Sequence, residues 1–263
     1  MSLRTMIAIA LAVGFGANAA ASHRLPEVQV EIVDENGRQF EQFPTRTRGG
    51  GAAYRAYLQA ERGASYRIRV HNGTGERVGV VIAVDGRNII SGARSELARG
   101  EPMYILTPRA QEEYSGWRTN LNDVHEFYFT DWEDSYAEAF GDRSAKGVIA
   151  VAVYREKERP LELHRRPYSK DSPAAPAAGR ADERSASSKQ AAEPGTGFGD
   201  RRYEPATRVA FNAESRASSR VFLKYEWPET LCRKRIADCA SDRNRFWDED
   251  LVFAPHPPRY RRH

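Results

Sequence analysis

Residues Tyr66–Gly92 read YRIRVHNGTGERVGVVIAVDGRNIISG, and the pattern within them decides the fold class. Tyr66, Ile68 and Val70 alternate with Arg67 and Arg69, the period-two signature of a strand with one buried face. Asn72-Gly73-Thr74-Gly75 is turn chemistry. Arg77 to Val84 then runs apolar on both faces, as a central sandwich strand does, so Tyr66 to Val84 reads as a hairpin. Asp85-Gly86 makes the next tight turn, leading into a short strand over 88–91.

Working outward, the same logic predicts further strands. Val28 to Val33 alternates apolar with polar residues, and Asn36-Gly37 turns the chain back through Phe40 and Phe43. Ala53 to Ala60, Pro102 to Thr107 and His125 to Thr130 read as strands. Gln111 to Trp117 reads as an edge strand, and Asp131 to Gly141 as a loop or single helical turn. Val148 to Tyr154 is apolar at nearly every position and reads as a central strand. Strands about 10 residues apart, punctuated by turns and with no sustained helical period, predict an all-β, antiparallel β-sandwich, jelly-roll-like or immunoglobulin-like. A barrel shares this signature.

Composition divides the 263-residue chain. Arg4 followed by the apolar run Met6 to Ala17 and the small-residue sites Ala17-Asn18-Ala19 and Ala19-Ala20-Ala21 predicts a signal peptide over 1–21. The expected location is therefore exported, periplasmic or extracellular, with membrane contact only peripheral and no nucleic acid partner. The sandwich is expected over 26–158 and a disordered linker over 165–197. Ser169 to Gly197 lacks Val, Ile, Leu, Met, Phe, Trp and Tyr, so it cannot bury enough apolar area to offset its ordering entropy. Residues 198–263 are expected to be a basic β-hairpin tail, with strands over 207–211 and 220–227, too short for a core of its own and so either docked on the sandwich or only partly ordered. Lys and Arg number 18 against 21 Asp and Glu from Ser22 to Glu158, but 21 against 15 from Arg159 to His263. The cationic excess thus belongs to the tail, a property suited to acidic partners.

Six stretches carry a resemblance: Tyr66 to Val70, Val84 to Ile89, Gly116 to Thr119, Phe127 to Asp131, Asp134 to Tyr136 and Gly147 to Val153. Together they resemble a group of uncharacterised exported bacterial all-β proteins. The likeness runs from about Tyr66 to Glu156 and recurs in the tail from Gly195 to Arg233. It implies a bacterial origin and an exported compartment, and no chemistry.

Candidate sites are few. Cys232 and Cys239 are the only cysteines, and in an oxidising compartment they are expected to pair. The disulfide would close a short loop worth roughly 2–3 kcal/mol in the chain-entropy view. It would present Arg233, Lys234 and Arg235 as a basic knob for docking, or simply staple the chain with solvated charges. Trp117 and Arg118, expected on a loop, are candidates for stacking on a sugar or anchoring a partner; the alternative is a Trp that caps the core. Asp131, Glu133 and Asp134 head an acidic cluster that could offer oxygen ligands to calcium, but it lacks a calcium-hand order and its aromatic residues suggest a loop folded onto the sandwich. His125 stands near Asp123 and Asp131 and is a conceivable general base, yet no Gly-x-Ser-x-Gly nucleophile is present. Gly49-Gly50-Gly51 lacks the Lys-Ser/Thr of a phosphate loop. No catalytic residue and no cofactor is assigned.

The expected function is an exported, non-enzymatic binding or structural module of the bacterial envelope. Its expected partner is another envelope protein or a polyanion, contacted through loops and the basic tail. A carboxylate-dependent hydrolase acting on carbohydrate, with its acids on the Asp123 to Asp142 segment, and a component of an extracellular appendage are the alternatives.

Overall fold

The computed structural model describes residues 27–45, 53–157 and 193–237. The expected signal peptide, nearly all of the expected linker and the end of the tail lie outside these residues. In chain order the strands are β1 (Val28–Val33), β2 (Gln42–Pro44), β3 (Ala53–Gln59), β4 (Ser65–Asn72), β5 (Val78–Val84), β6 (Arg87–Asn88) and β7 (Tyr104–Leu106). They continue as β8 (Gln111–Tyr114), β9 (Gly116–Arg118), β10 (Asp123–Asp131), β11 (Val148–Arg155), β12 (Pro194–Thr196), β13 (Arg201–Tyr203) and β14 (Ser219–Glu226), followed by one short helix, α1 (Pro228–Arg233).

Two sheets form an all-β sandwich. The first runs β1-β4-β10-β12, with β8 beside β4 and with β9 and β13 beside β10. The second runs β2-β3-β14-β11-β5-β6, with β7 beside β5. Every pairing is antiparallel except β14 with β3. Inward-facing Ile32, Tyr66, Ile68, Phe127 and Phe129 of the first sheet share one core with Leu58, Val80, Ile82, Ile149, Leu223 and Tyr225 of the second. Tyr66 stacks on Phe129 at 4.3 Å and on Phe127 at 5.3 Å between centroids, and Tyr225 reaches Phe129 at 5.3 Å. Fully burying such a side chain contributes about 1.5–3 kcal/mol.

The expected Tyr66–Val84 hairpin is not formed, because β4 and β5 lie in different sheets. Asn72-Gly73-Thr74-Gly75 makes an arch across the sandwich. The Asn72 amide donates to the carbonyls of Glu76 and Thr107 at 2.8 and 2.9 Å, while its own oxygen accepts from the Thr74 amide. The Asp85-Gly86 turn is a true hairpin. Both residues take positive φ, +50° and +83°, as a two-residue turn between twisted strands requires.

β5 is buried on both faces for two reasons. Its inner residues meet the other sheet. Its outer Val81, with Ala152 and Tyr154 of β11, is covered by Leu97, Met103, Phe211, Ala213 and Ala217. Phe211, Ala213 and Ala217 belong to a strap that lies over one half of the second sheet. Gly79 lets the strap approach: a Cβ there would stand 2.7 Å from the Phe211 ring.

The segment beyond the expected linker docks on the sandwich, and the strand expected over 220–227 forms as β14, but not as part of a hairpin. Residues 207–211 form no strand, so no hairpin pairs them with 220–227. Instead β14 sits between β11 and β3, in the interior of the second sheet. β12 and β13 extend the first sheet along β10. The expected linker boundary at residue 197 falls too late, because Pro194–Thr196 is already strand. Gly195 and Gly197 permit the contact, since a Cβ at Gly195 would stand 2.6 Å from that of Ser135 and one at Gly197 would collide with the Tyr128 ring. Among the described residues no helix is long and apolar enough to cross a membrane.

Candidate functional site: a cationic groove on the second sheet

Strand alternation puts Val221, Leu223 and Tyr225 of β14 into the core and leaves Arg220, Phe222 and Lys224 on the outer face. The pairing registers set their neighbours. Phe222 stands between Arg55 of β3 and Ala150 of β11, and Ala150 stands beside Ala83 of β5. Lys224 stands between Tyr57 and Val148. Two alanines in the middle of a row flanked by long side chains leave a hollow. Its volume is about 610 Å³, and Ser95, Glu96 and Leu97 form one wall while Gly86, Ser144 and Ala145 form another.

The charge of this groove is one-sided. The Arg55 guanidinium lies 4.6 Å from the centroid of the Phe222 ring. Neither Arg55 nor Arg220 has an ion pair to a described residue, and the Lys224 ammonium donates to the Lys146 carbonyl at 2.7 Å rather than to a carboxylate. Burial pushes the Lys224 ammonium below the usual lysine value, opposed by the nearby Glu226. The acid in the wall, Glu96, pairs with Arg94 at 3.5 Å. Arginine over an aromatic ring, with desolvated lysine beside it, is an arrangement suited to an anion carrying flat or ring-shaped apolar surface.

A buried clasp holds the end wall in place. Asp85 is fully buried; its carboxylate accepts from the Tyr225 hydroxyl at 2.6 Å, the Gly147 amide at 2.7 Å and the Thr196 amide at 2.9 Å. The Thr196 hydroxyl bonds both Tyr225 and Tyr66. Burial raises the Asp85 carboxyl to about 6, against the lowering effect of these donors. The same burial raises Tyr66 and Tyr225 well above the usual phenol value. The network is closed to solvent, so it anchors the β5–β6 turn and the 144–147 loop rather than presenting a reactive group.

The residues singled out in the sequence are dispersed. Trp117 is not on an exposed loop. It is 2 % exposed in β9, packs on Phe127 and Tyr136, and donates its indole N–H to the Gly197 carbonyl at 2.9 Å. Arg118 is equally committed, to Glu204 at 2.9 Å and to the Tyr104 hydroxyl at 2.8 Å. Both belong to the scaffold because β10 draws β9 into the sheet.

Arg233, Lys234 and Arg235 are exposed at the end of α1. Lys234 pairs with Glu226 at 2.5 Å and lies 5.5 Å from the Tyr57 ring centroid, so the basic knob adjoins the groove through Tyr57. Cys232 lies in α1, whereas Cys239 is outside the described residues, as is the loop between them beyond Ala237.

Asp131, Glu133 and Asp134 do not converge, and among the described residues no group of three or more His, Cys, Asp or Glu is placed to hold a metal. Their segment folds onto the sandwich as two single 3-10 turns, over Trp132–Asp134 and Glu138–Phe140. Glu138 accepts from the Trp132 indole at 2.6 Å and pairs with Arg143, which holds its carboxyl below the usual range. His125 bonds the Gly199 carbonyl at 2.8 Å and stacks on Phe198. His71 lies on the outer face of β4, near Gln29 and Gln111.

Five residues of the groove, Arg55, Tyr57, Arg220, Phe222 and Lys224, escaped the sequence reading. The signal was present in the polar face of β14, where arginine, phenylalanine and lysine alternate with the core residues. Comparison with protein-family models, curated proteins and solved structures finds no match.

Proposed function

We propose that this protein is a non-enzymatic binding module of the bacterial envelope that holds an acidic polysaccharide against the outer face of its second sheet. The observation that carries the reading is the groove over β3, β14 and β11, where Arg55, Arg220 and Lys224 face outward without carboxylate partners among the described residues. Tyr57 and Phe222 line the groove beneath Lys234 and Arg55, giving it apolar surface beside the cations. Arg233 and Arg235 extend the positive surface past Tyr57, matching the acidic partner expected of the tail. Export rests on the N-terminal pattern from Arg4 to Ala21.

The test is titration of the mature chain with polygalacturonate, a linear carboxylate polymer, and with neutral dextran. Binding to the acid polymer is expected to weaken at least about tenfold between about 20 and 300 mM salt as charges are screened. Replacing Arg55 and Arg220 by Ser and Lys224 by Gln is expected to cost about tenfold or more in affinity at low salt. Unchanged binding by that triple variant would defeat the proposal, as would equal binding of dextran.

A further inference from the structure

The last strand of the second sheet comes from a part of the chain that has no short connection to its neighbours. β14 pairs with Ala53–Gln59 along one edge and with Val148–Val153 along the other, filling a slot that the body would otherwise leave open between β3 and β11. It brings Val221, Leu223, Tyr225 and, just beyond, Trp227 into the core, each no more than 1 % exposed. The Ala60 amide donates to the Glu226 carbonyl, and the Tyr225 amide to the Gly147 carbonyl, so the ladder continues to the strand's end. The same segment carries Thr196 and Tyr225, two of the five residues of the Asp85 clasp. It also closes the first sheet through β12 and β13.

Body and segment therefore meet along a large, apolar, hydrogen-bonded interface. Their covalent link over 158–192 lies outside the described residues. Strand addition to an open sheet edge is a general mode of protein recognition, in which main-chain bonds give affinity and side-chain pockets give register. Here the pockets are specific: Tyr225 must reach Asp85 and Thr196 must reach Tyr66.

We infer that the slot between β3 and β11 is an interaction surface whose ligand is the 193–237 segment of this chain, and that it accepts the segment as a separate polypeptide, including one from a second copy. Covalent continuity raises the segment's effective concentration, to about millimolar by linkage arithmetic. The interface supplies the rest. This inference stands whether or not the groove binds polysaccharide.

The test uses the full chain with a protease site inserted between residues 165 and 190, folded and then cut. The two parts are expected to co-elute at about 1 μM and to separate only in denaturant, consistent with a micromolar or tighter complex. Both cysteines lie in the second part, so a bond between them cannot hold the parts together. Excess labelled 193–263 polypeptide is expected to exchange into the cut protein. The double variant Thr196→Val, Tyr225→Phe should raise the dissociation rate about tenfold or more, because it leaves Asp85 without its hydroxyl donor. As a second route, the parts produced as two chains in one cell should co-purify through a tag on the first. Dissociation on cutting, or recovery of the tagged first part alone, would overturn the inference.

Discussion

The outer faces of the two sheets both carry cations, but Arg67 and Arg69 on the first are handled in the opposite way to Arg55 and Arg220 on the second. On the first sheet, Arg69 of β4 lies between Glu31 of β1 and Glu113 of β8, at 3.4 and 2.8 Å, and Arg67 reaches Glu113 at 3.2 Å. Arg69 stands in a cross-strand row between two acids, and Arg67 also bonds the Asp34 and Glu35 carbonyls at the turn after β1. On the second sheet, Arg55 and Arg220 stand in rows with alanine and phenylalanine. Charge that is neutralised within its own sheet is a solvated surface. Charge left over beside a hollow is a site. The difference lies in the residue opposite, not in the number of arginines.

The largest expected effect is at the clasp that joins both sheets. Asp85 has its folded value raised to about 6 by burial, so the folded state binds the proton more tightly than the unfolded one. Its contribution to stability is greatest at low pH and falls as pH rises through the window from about 3.8 to about 6, then stays level. The shift corresponds to about 3 kcal/mol. Denaturant melts of wild type and Asp85→Asn across that window should show the difference between them shrinking by that order as pH rises; a constant difference would contradict the assignment.

A smaller effect is expected where the second sheet is covered instead of bare. Phe211→Ala uncovers Val81 and Ala152 and should cost about 2 kcal/mol, below the range for a fully buried phenylalanine because this ring is only partly buried. A melt within a few tenths of wild type would show that the strap is not anchored by this ring.

The smallest effects are expected on the first sheet. Glu113→Gln breaks two partly exposed ion pairs and should cost less than about 1 kcal/mol. Arg67→Gln with Arg69→Gln should leave polygalacturonate affinity within about twofold of wild type. A loss there as large as that from Arg55, Arg220 and Lys224 would erase the distinction between the faces.

Strands were legible wherever local pattern suffices. The alternation in β4, the double-sided apolar run of β5 and the Asp85-Gly86 turn all form as expected from neighbouring residues. Which strands pair was less legible. Asn72-Gly73 suits a hairpin and an inter-sheet arch equally, and the choice falls to Thr107, a distant residue whose carbonyl takes the Asn72 amide. The position of β14 depends on Ala53–Gln59 and Val148–Val153, far away in sequence. The groove was hidden for the same reason, since Arg55 and Phe222 meet only through the parallel pairing of β3 with β14. Trp117 follows the core-capping alternative rather than the exposed one, because Gly116 brings the Ser-Gly-Trp-Arg stretch against the β10 backbone, where a Cβ would collide with the His125 carbonyl.

The parallel seating of β14 also sets a timetable. A chain emerging from its N-terminus makes β3, β5 and β11 long before residue 226 appears. Until then β3 and β11 are two raw edges facing an empty lane, each able to template a wrong neighbour. Partners this remote in sequence close slowly. The second sheet is therefore finished by nearly the last piece of described chain to be synthesised, and a polypeptide that stops short of Ser219 exposes both edges at once.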